Sequence, residues 1–258
     1  MNKRFLQLCM AVVMVFSATA FSQVNAQTHS AKSIAKGEVM NFKNYTEIHL
    51  NGSVDVVYTQ GNEYSFEVVS DHSSANIVKA SVSNGVLSVG LNSSIISKLK
   101  NSFFNVKVYI TSPKLDAVRV NGSGEFQVRG GLVCDKDFKV YMKGSGDFDC
   151  HKLEAENLFV TLSGSGDIEV KGIVAKTAKV HLNGSGDVEL SGQVNTADYD
   201  LIGGGDISAE KLYAERVSAV VRGSGDIDCY AKQAIEYFMR GSGDIKWRGT
   251  SNATKVKR

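Results

Sequence analysis

The chain of 258 residues holds a single proline, Pro113, and a single tryptophan, Trp247. So little proline excludes a collagen-like or polyproline architecture, which needs it in abundance. Charge of one sign is also scarce. Lys and Arg number 29 against 27 Asp and Glu, and leaving out Lys3 and Arg4 of a removable leader brings the balance to 27 against 27. A near-neutral chain has no electrostatic footprint for nucleic acid or for an anionic membrane surface. After the leader no apolar run approaches bilayer length, so the mature chain is expected to have no membrane span. Cysteine is sparse too: Cys134, Cys150 and Cys229 follow the leader, an odd number that allows at most one bond. Cys150 and Cys229 share a column of the repeat described below but stand four turns apart, roughly 19 Å, where a disulfide needs Cα atoms within about 7 Å. All three are expected to pack as small core hydrophobes.

What is present is a leader, an abundance of glycine, and a repeat. Lys3-Arg4, an apolar stretch from Phe5 to Phe16, and the small-x-small run Val24-Asn25-Ala26 form the pattern of a secretory signal peptide, with cleavage expected after Ala26. Cys9 precedes most of the apolar stretch, which is the wrong side for a lipid-anchoring cysteine. Of the 25 glycines, many belong to one tetrapeptide. It begins at Gly122 (GSGE), Gly144, Gly164 and Gly184 (GSGD), Gly203 (GGGD), Gly223 and Gly241 (GSGD), with spacings of 22, 20, 20, 19, 20 and 18 residues. So steady a period marks a solenoid. Asn51-Gly52-Ser53-Val54-Asp55 reads as a decayed earlier copy.

The flanking residues identify the type of solenoid. Apolar side chains recur two and four positions before each tetrapeptide (Val160 and Leu162, Val180 and Leu182) and just after it (Ile168 and Val170, Val188 and Leu190), with polar residues between. Period-2 alternation is the strand signature. A weaker third strand recurs at Leu153, Ile173 and Leu212. Short strands stacked every twenty residues predict an all-β fold: a right-handed parallel β-helix of about seven turns with GSGD corners, preceded by an antiparallel β cap. The expected organisation is a signal peptide (1–26), a flexible segment (27–37), the cap (38–115), the β-helix repeats (116–248) and a basic tail (249–258). Asn84-Gly85 predicts a tight turn inside the cap. Trp247 is expected to close the open end of the last turn.

The candidate site is the stacked acidic column Glu125, Asp147, Asp167, Asp187, Asp206, Asp226 and Asp244. One reading makes each carboxylate a brace for its own turn amides. Another makes the row a ligand or cation face, since carboxylates one strand spacing apart repel and need an offset from amides, from Lys143, Arg222 and Arg240, or from calcium. Calcium β-rolls use a nine-residue repeat, which this is not. No phosphate loop is expected, because the basic residues precede GSG and no helix follows it. His29, His49, His72, His151 and His181 show no metal spacing, and no catalytic residues, metal site or cofactor site are expected.

Taken with Ile48…Asn51-Gly52-Ser53…Val56, Gly85-Val86-Leu87-Ser88-Val89 and the run from Val106 to Leu115, the repeats resemble the putative auto-transporter adhesin head (GIN) domain family, over about Glu38 to Trp247. The resemblance implies an exported Gram-negative protein with a β-helical fold and an adhesive role, located in the periplasm, on the outer membrane surface or outside the cell. The implied partner is a glycan or a surface protein of envelope or host. Only eleven, mostly polar residues follow Trp247, so no membrane barrel and no self-translocation are expected. The function expected is therefore a non-enzymatic binding or structural module. The alternative is a polysaccharide lyase or hydrolase, using an outward carboxylate pair such as Asp149 and Glu169.

Overall fold

The computed structural model describes residues 32–34, 39–40, 42–70, 77–96 and 105–256. The leader, the cleavage position after Ala26, Cys9, His29, His72, Lys257 and Arg258 lie outside them. The described chain is almost entirely strand, with one short helix at Ser93–Ile96. No helix is long and apolar enough to cross a membrane.

Each coil of the solenoid has three faces. The first-face strands are Glu47–Gly52, Ala117–Gly122, Asp137–Gly144 and Asn157–Gly164, continued by the latter parts of Asp167–Gly184, Val188–Gly203, Ile207–Gly223 and Ile227–Gly241. They pair in parallel, and the first glycine of every corner aligns from Gly52 through Gly122 and Gly144 to Gly241. Beyond the corner, the second face aligns Val56, Phe126, Phe148, Ile168, Val188, Ile207, Ile227 and Ile245. A short third face aligns Leu132, Leu153, Ile173, Gly192 and Leu212. In the upper coils every register shift falls between the second face and the return to the first, at Val170/Ile173, Glu189/Ser191, Ala209/Tyr213 and Ala214/Arg216. Differences in coil length are absorbed there, and the corner column stays in step.

Inward residues from all three faces form one continuous core from Phe42 to Ile235. Phe126 and Phe148 stack with centroids 5.9 Å apart, and Tyr58 and Phe126 stack at 6.3 Å. Cys134, Cys150 and Cys229 are free and buried in this core. Burial pushes their thiols up to about 12, 11 and 12 respectively, so they behave as apolar filler.

The N-terminal half departs from the expected antiparallel cap. Glu47–Gly52 and Asp55–Gln60 are a full coil, paired in parallel with Ala117–Gly122 and Glu125–Arg129 above. The same coil pairs in parallel with Val86–Leu91 and Val106–Ser112 below. The coil that comes first in the chain is thus inserted between two later ones. Antiparallel pairing is confined to the outer layer. There Ser65–Ser70 lies on Val106–Ser112, Val78–Ser83 on Val86–Leu91, Lys32–Ile34 on Val78–Ser83, and Val39–Met40 on Ser65–Ser70. The segment expected to be flexible therefore supplies a strand. Asn84 and Gly85 make the predicted tight turn at φ 51° and 79°. At the other end Ala253–Lys255 pairs with Ile235–Tyr237, so the expected tail forms part of the last coil. Trp247 aligns with Cys229, packs against Tyr237 at 5.3 Å and donates its indole N–H to the Thr250 carbonyl. It packs against the core over the Cys229 layer, as expected, but is only partly buried, so it covers the end without sealing it.

Candidate functional site

The acidic column sits at the corner because glycine lets the coils approach there. Gly184 has φ 146°, and a Cβ on it would lie 2.0 Å from the Gly164 carbonyl oxygen. Gly186 has no positive φ, but a Cβ there would lie 1.9 Å from the Gly166 carbonyl oxygen. The first glycine of the motif thus serves both the turn and the stacking, whereas the second, at the third position, serves the stacking alone. The freed carbonyls are used: the Ser185 and Gly186 amides both donate to Gly164 O, at 2.9 and 3.2 Å.

The carboxylates do not brace their own turns. From Asp147 to Asp226 the Oδ1 of each carboxylate accepts from the backbone amide of the acidic residue one coil on. The Asp147, Asp167, Asp187, Asp206 and Asp226 carboxylates take the amides of Asp167, Asp187, Asp206, Asp226 and Asp244, at 3.3, 3.0, 3.0, 2.8 and 2.8 Å. Asp55 does the same for Glu125 at 3.1 Å. The column is therefore a ladder of charge-assisted hydrogen bonds, which offsets the like-charge repulsion along the row. The Asp226 carboxyl is held below its usual range, first by the Asp244 amide and then by Lys246, whose ammonium lies 3.3 Å away. Arg222, one of several candidate offsets for the row, pairs with Asp200 on the first face at 2.5 Å. With one oxygen of the Asp147, Asp167, Asp187, Asp206 and Asp226 carboxylates committed to an amide, the geometry is that of a coil-to-coil brace.

Stacking also assembles groups that no local spacing reveals. Asp149 and Glu169 are register partners on the outer second face, and His151 follows Asp149 by two. The His151 Nε2 lies 3.2 Å from Asp149 and 3.8 Å from Glu169. Among the described residues this is the one grouping of three metal-ligating side chains, within 4.8 Å of one another. The Lys171 ammonium already occupies Glu169 and holds its carboxyl below the usual range. The group is an ion-pair cluster, and only the twenty-residue period applied to outward positions could have revealed it. His181 faces outward on the first face and meets Asp200 at 3.3 Å.

Fold and corner together define a class: a β-solenoid whose filled interior leaves only outward side chains to act. The chain belongs to the family described as "Putative auto-transporter adhesin, head GIN domain", whose model matches residues 44–251. Solved structures share the fold. A "Putative lipid binding protein" from Parabacteroides distasonis is 24% identical with a TM-score of 0.67, covering 88% of this chain and 98% of its own. A "putative adhesin" from Bacteroides fragilis is 24% identical with a TM-score of 0.63, covering 88% and 94%. Another from Parabacteroides merdae is 20% identical with a TM-score of 0.66, covering 90% and 100%. No curated protein matches the sequence.

Proposed function

We propose that the protein is a non-enzymatic binding module of the cell envelope, exported through its N-terminal leader with cleavage after Ala26 and acting as an adhesin head. The observation that carries this reading is the uninterrupted core from Phe42 to Ile235, locked in register by the corner ladder. A rod of this kind holds its surface side chains at a fixed pitch, so recognition requires little ordering on binding. Family membership and the adhesins among the structural neighbours support an extracellular or envelope location. The partner class is a glycan or a surface protein of envelope or host. The hydrolase form of the alternative reading needs a carboxylic acid whose pKa is raised so that it can protonate a leaving group. Glu169 of the outward pair is shifted the opposite way by Lys171.

The test presents the purified chain from residue 27 onward to immobilised envelope and host glycans and surface proteins, with turnover assayed in parallel. Saturable binding without product supports the module. Release of oligosaccharide from any polysaccharide, abolished by Glu169→Gln, would replace it with an enzyme.

A further inference from the structure

We propose that the third face is a recognition ridge for a neutral oligosaccharide, centred on Tyr213 and Tyr230. The inference rests on the binding-module reading and names the surface and ligand class it would use. Outward positions of the third face stack in one column: Val133, Glu154, Val174, Gln193, Tyr213 and Tyr230. The large hydrophobics that are exposed among the described residues are Val69, Val133, Val174 and Tyr213, and three of these four lie in this column. Val133, Val174 and Tyr213 are 53%, 59% and 54% exposed. Neither of the two longer faces carries such a stripe. Exposed apolar groups gathered in one line mark an interaction surface.

At the upper end the stripe opens into a groove of about 440 Å³, lined by Val174, Gln193, Asn195, Tyr213, Glu215 and Tyr230, within the size range of small-ligand sites. Tyr213 and Tyr230 meet edge to face, centroids 5.0 Å apart, which fixes both rings. Beside them Glu215 is held by Lys232 at 2.8 Å and by the Gln233 side-chain amide at 2.6 Å. The amides of Gln193 and Asn195 flank the rings. Rigid aromatic surfaces to stack on the C–H faces of sugar rings, with amides and a carboxylate to meet hydroxyls, are the chemistry that recognises a saccharide. Charge then selects the kind: Glu215 is neutralised by Lys232, and the stripe itself carries only Glu154, so nothing favours an anionic chain. The column spans five coil steps, about 24 Å at one strand spacing each, which suits an extended ligand.

Other occupants fit poorly. A stable interface with a second copy needs about 800 Å² and some twenty residues on each side, whereas the stripe is one side chain wide. A bilayer surface would call for clustered Lys and Arg beside the apolar groups, and here acidic and amide groups interrupt them. The register shifts are placed to suit this use. They fall on this side of each coil, at Glu189/Ser191 and Ala209/Tyr213, so the ridge can vary while core and corner stay in step.

The test titrates maltohexaose, cellohexaose, mannohexaose and xylohexaose into the mature chain by isothermal calorimetry and two-dimensional NMR. We expect at least one to bind, with at least a tenfold loss of affinity in Tyr213→Ala, retention in Tyr213→Phe and no change in Asp147→Asn at the corner. Circular dichroism and melting temperature check that the variants fold. Binding that survives Tyr213→Ala combined with Tyr230→Ala overturns the ridge but leaves the module reading intact. So does failure of all four hexaoses when the chain still adheres to an immobilised surface protein or an anionic glycan. Failure to bind any glycan or surface protein overturns both.

Discussion

The first coil in the chain, residues 47–60, and the regular coils above it make the same corner under different constraints. In the upper coils a Cβ on the second glycine of the motif points at the carbonyl of the corner beneath, as Gly146 does at Gly124 and Gly186 at Gly166. The equivalent residue of the first coil is Val54, fully buried. Beneath it lies the layer of Val86–Leu91 and Val106–Ser112, which carries no GSG corner. Gly52 likewise would place a Cβ in open space, although its φ is 92°. The repeated glycine is thus demanded by another corner underneath, and the turn alone does not require it throughout. The two regions also treat a buried hydroxyl differently. Tyr58 donates to the Ser112 carbonyl at 3.0 Å and lies 3.1 Å from the buried Ser112 Oγ, whereas the buried Tyr199 hydroxyl has no hydrogen-bond partner among the described residues.

The sharpest break in this comparison is Gly186→Ala. Overlap with a backbone carbonyl cannot be relieved by a rotamer change, so the loss should exceed about 3 kcal/mol in urea denaturation. A loss below 1 kcal/mol would show that the coils separate easily. The tyrosines should respond with opposite signs. Tyr58→Phe is expected to destabilise by about 1.5 kcal/mol and Tyr199→Phe to stabilise by about 1 kcal/mol, because only the second removes an unpaired buried group. Two losses of similar size would mean that the Tyr199 hydroxyl finds a partner in water. Gly52→Ala introduces backbone strain without a clash and should cost about 1 kcal/mol.

Acid should act on the ladder. Asp226 is held below its usual pKa in the folded state, so it binds a proton more readily when unfolded. Its stabilisation is present above the ordinary carboxylate value, about 3.9, and is lost as pH falls through the lower folded value. Melting temperature should therefore fall less steeply from pH 5 to pH 2.5 in Asp226→Asn than in the parent chain; parallel curves would count against the brace. Calcium at millimolar concentration should leave both curves where they are. The smallest effect is expected from Gly204→Ser, at a position where the other corners carry serine. A Cβ there meets only the Ser224 Oγ at 3.3 Å, so stability should stay within about 0.5 kcal/mol by chemical denaturation.

The repeat was legible because each residue's principal neighbour lies one period away. Val160, Val180 and Tyr199 occupy one inward column in the sequence and in the fold. The Asn84-Gly85 turn was legible because it is local. The acidic column was legible as a row but not as a ladder, since a turn amide and the amide one coil on lie within similar reach of a short carboxylate. The cluster of Asp149, His151 and Glu169 escaped a search for local ligand spacing. The third-face ridge escaped because Val133, Val174 and Tyr213 look like ordinary strand residues until their orientation is known.

By itself the sequence determined the period, the three-faced coil, the inward columns and the glycine corners, because these follow from alternation and backbone sterics repeated every twenty residues. Only the tertiary structure decided that the first coil slips between two later ones. That order depends on which exposed strand edges pair across long loops, and loop closure changes too slowly with length for local sequence to choose among them. Tertiary structure likewise decided which hydroxyl found a partner and which apolar side chains were left facing water, since both depend on what the neighbouring coils place opposite them.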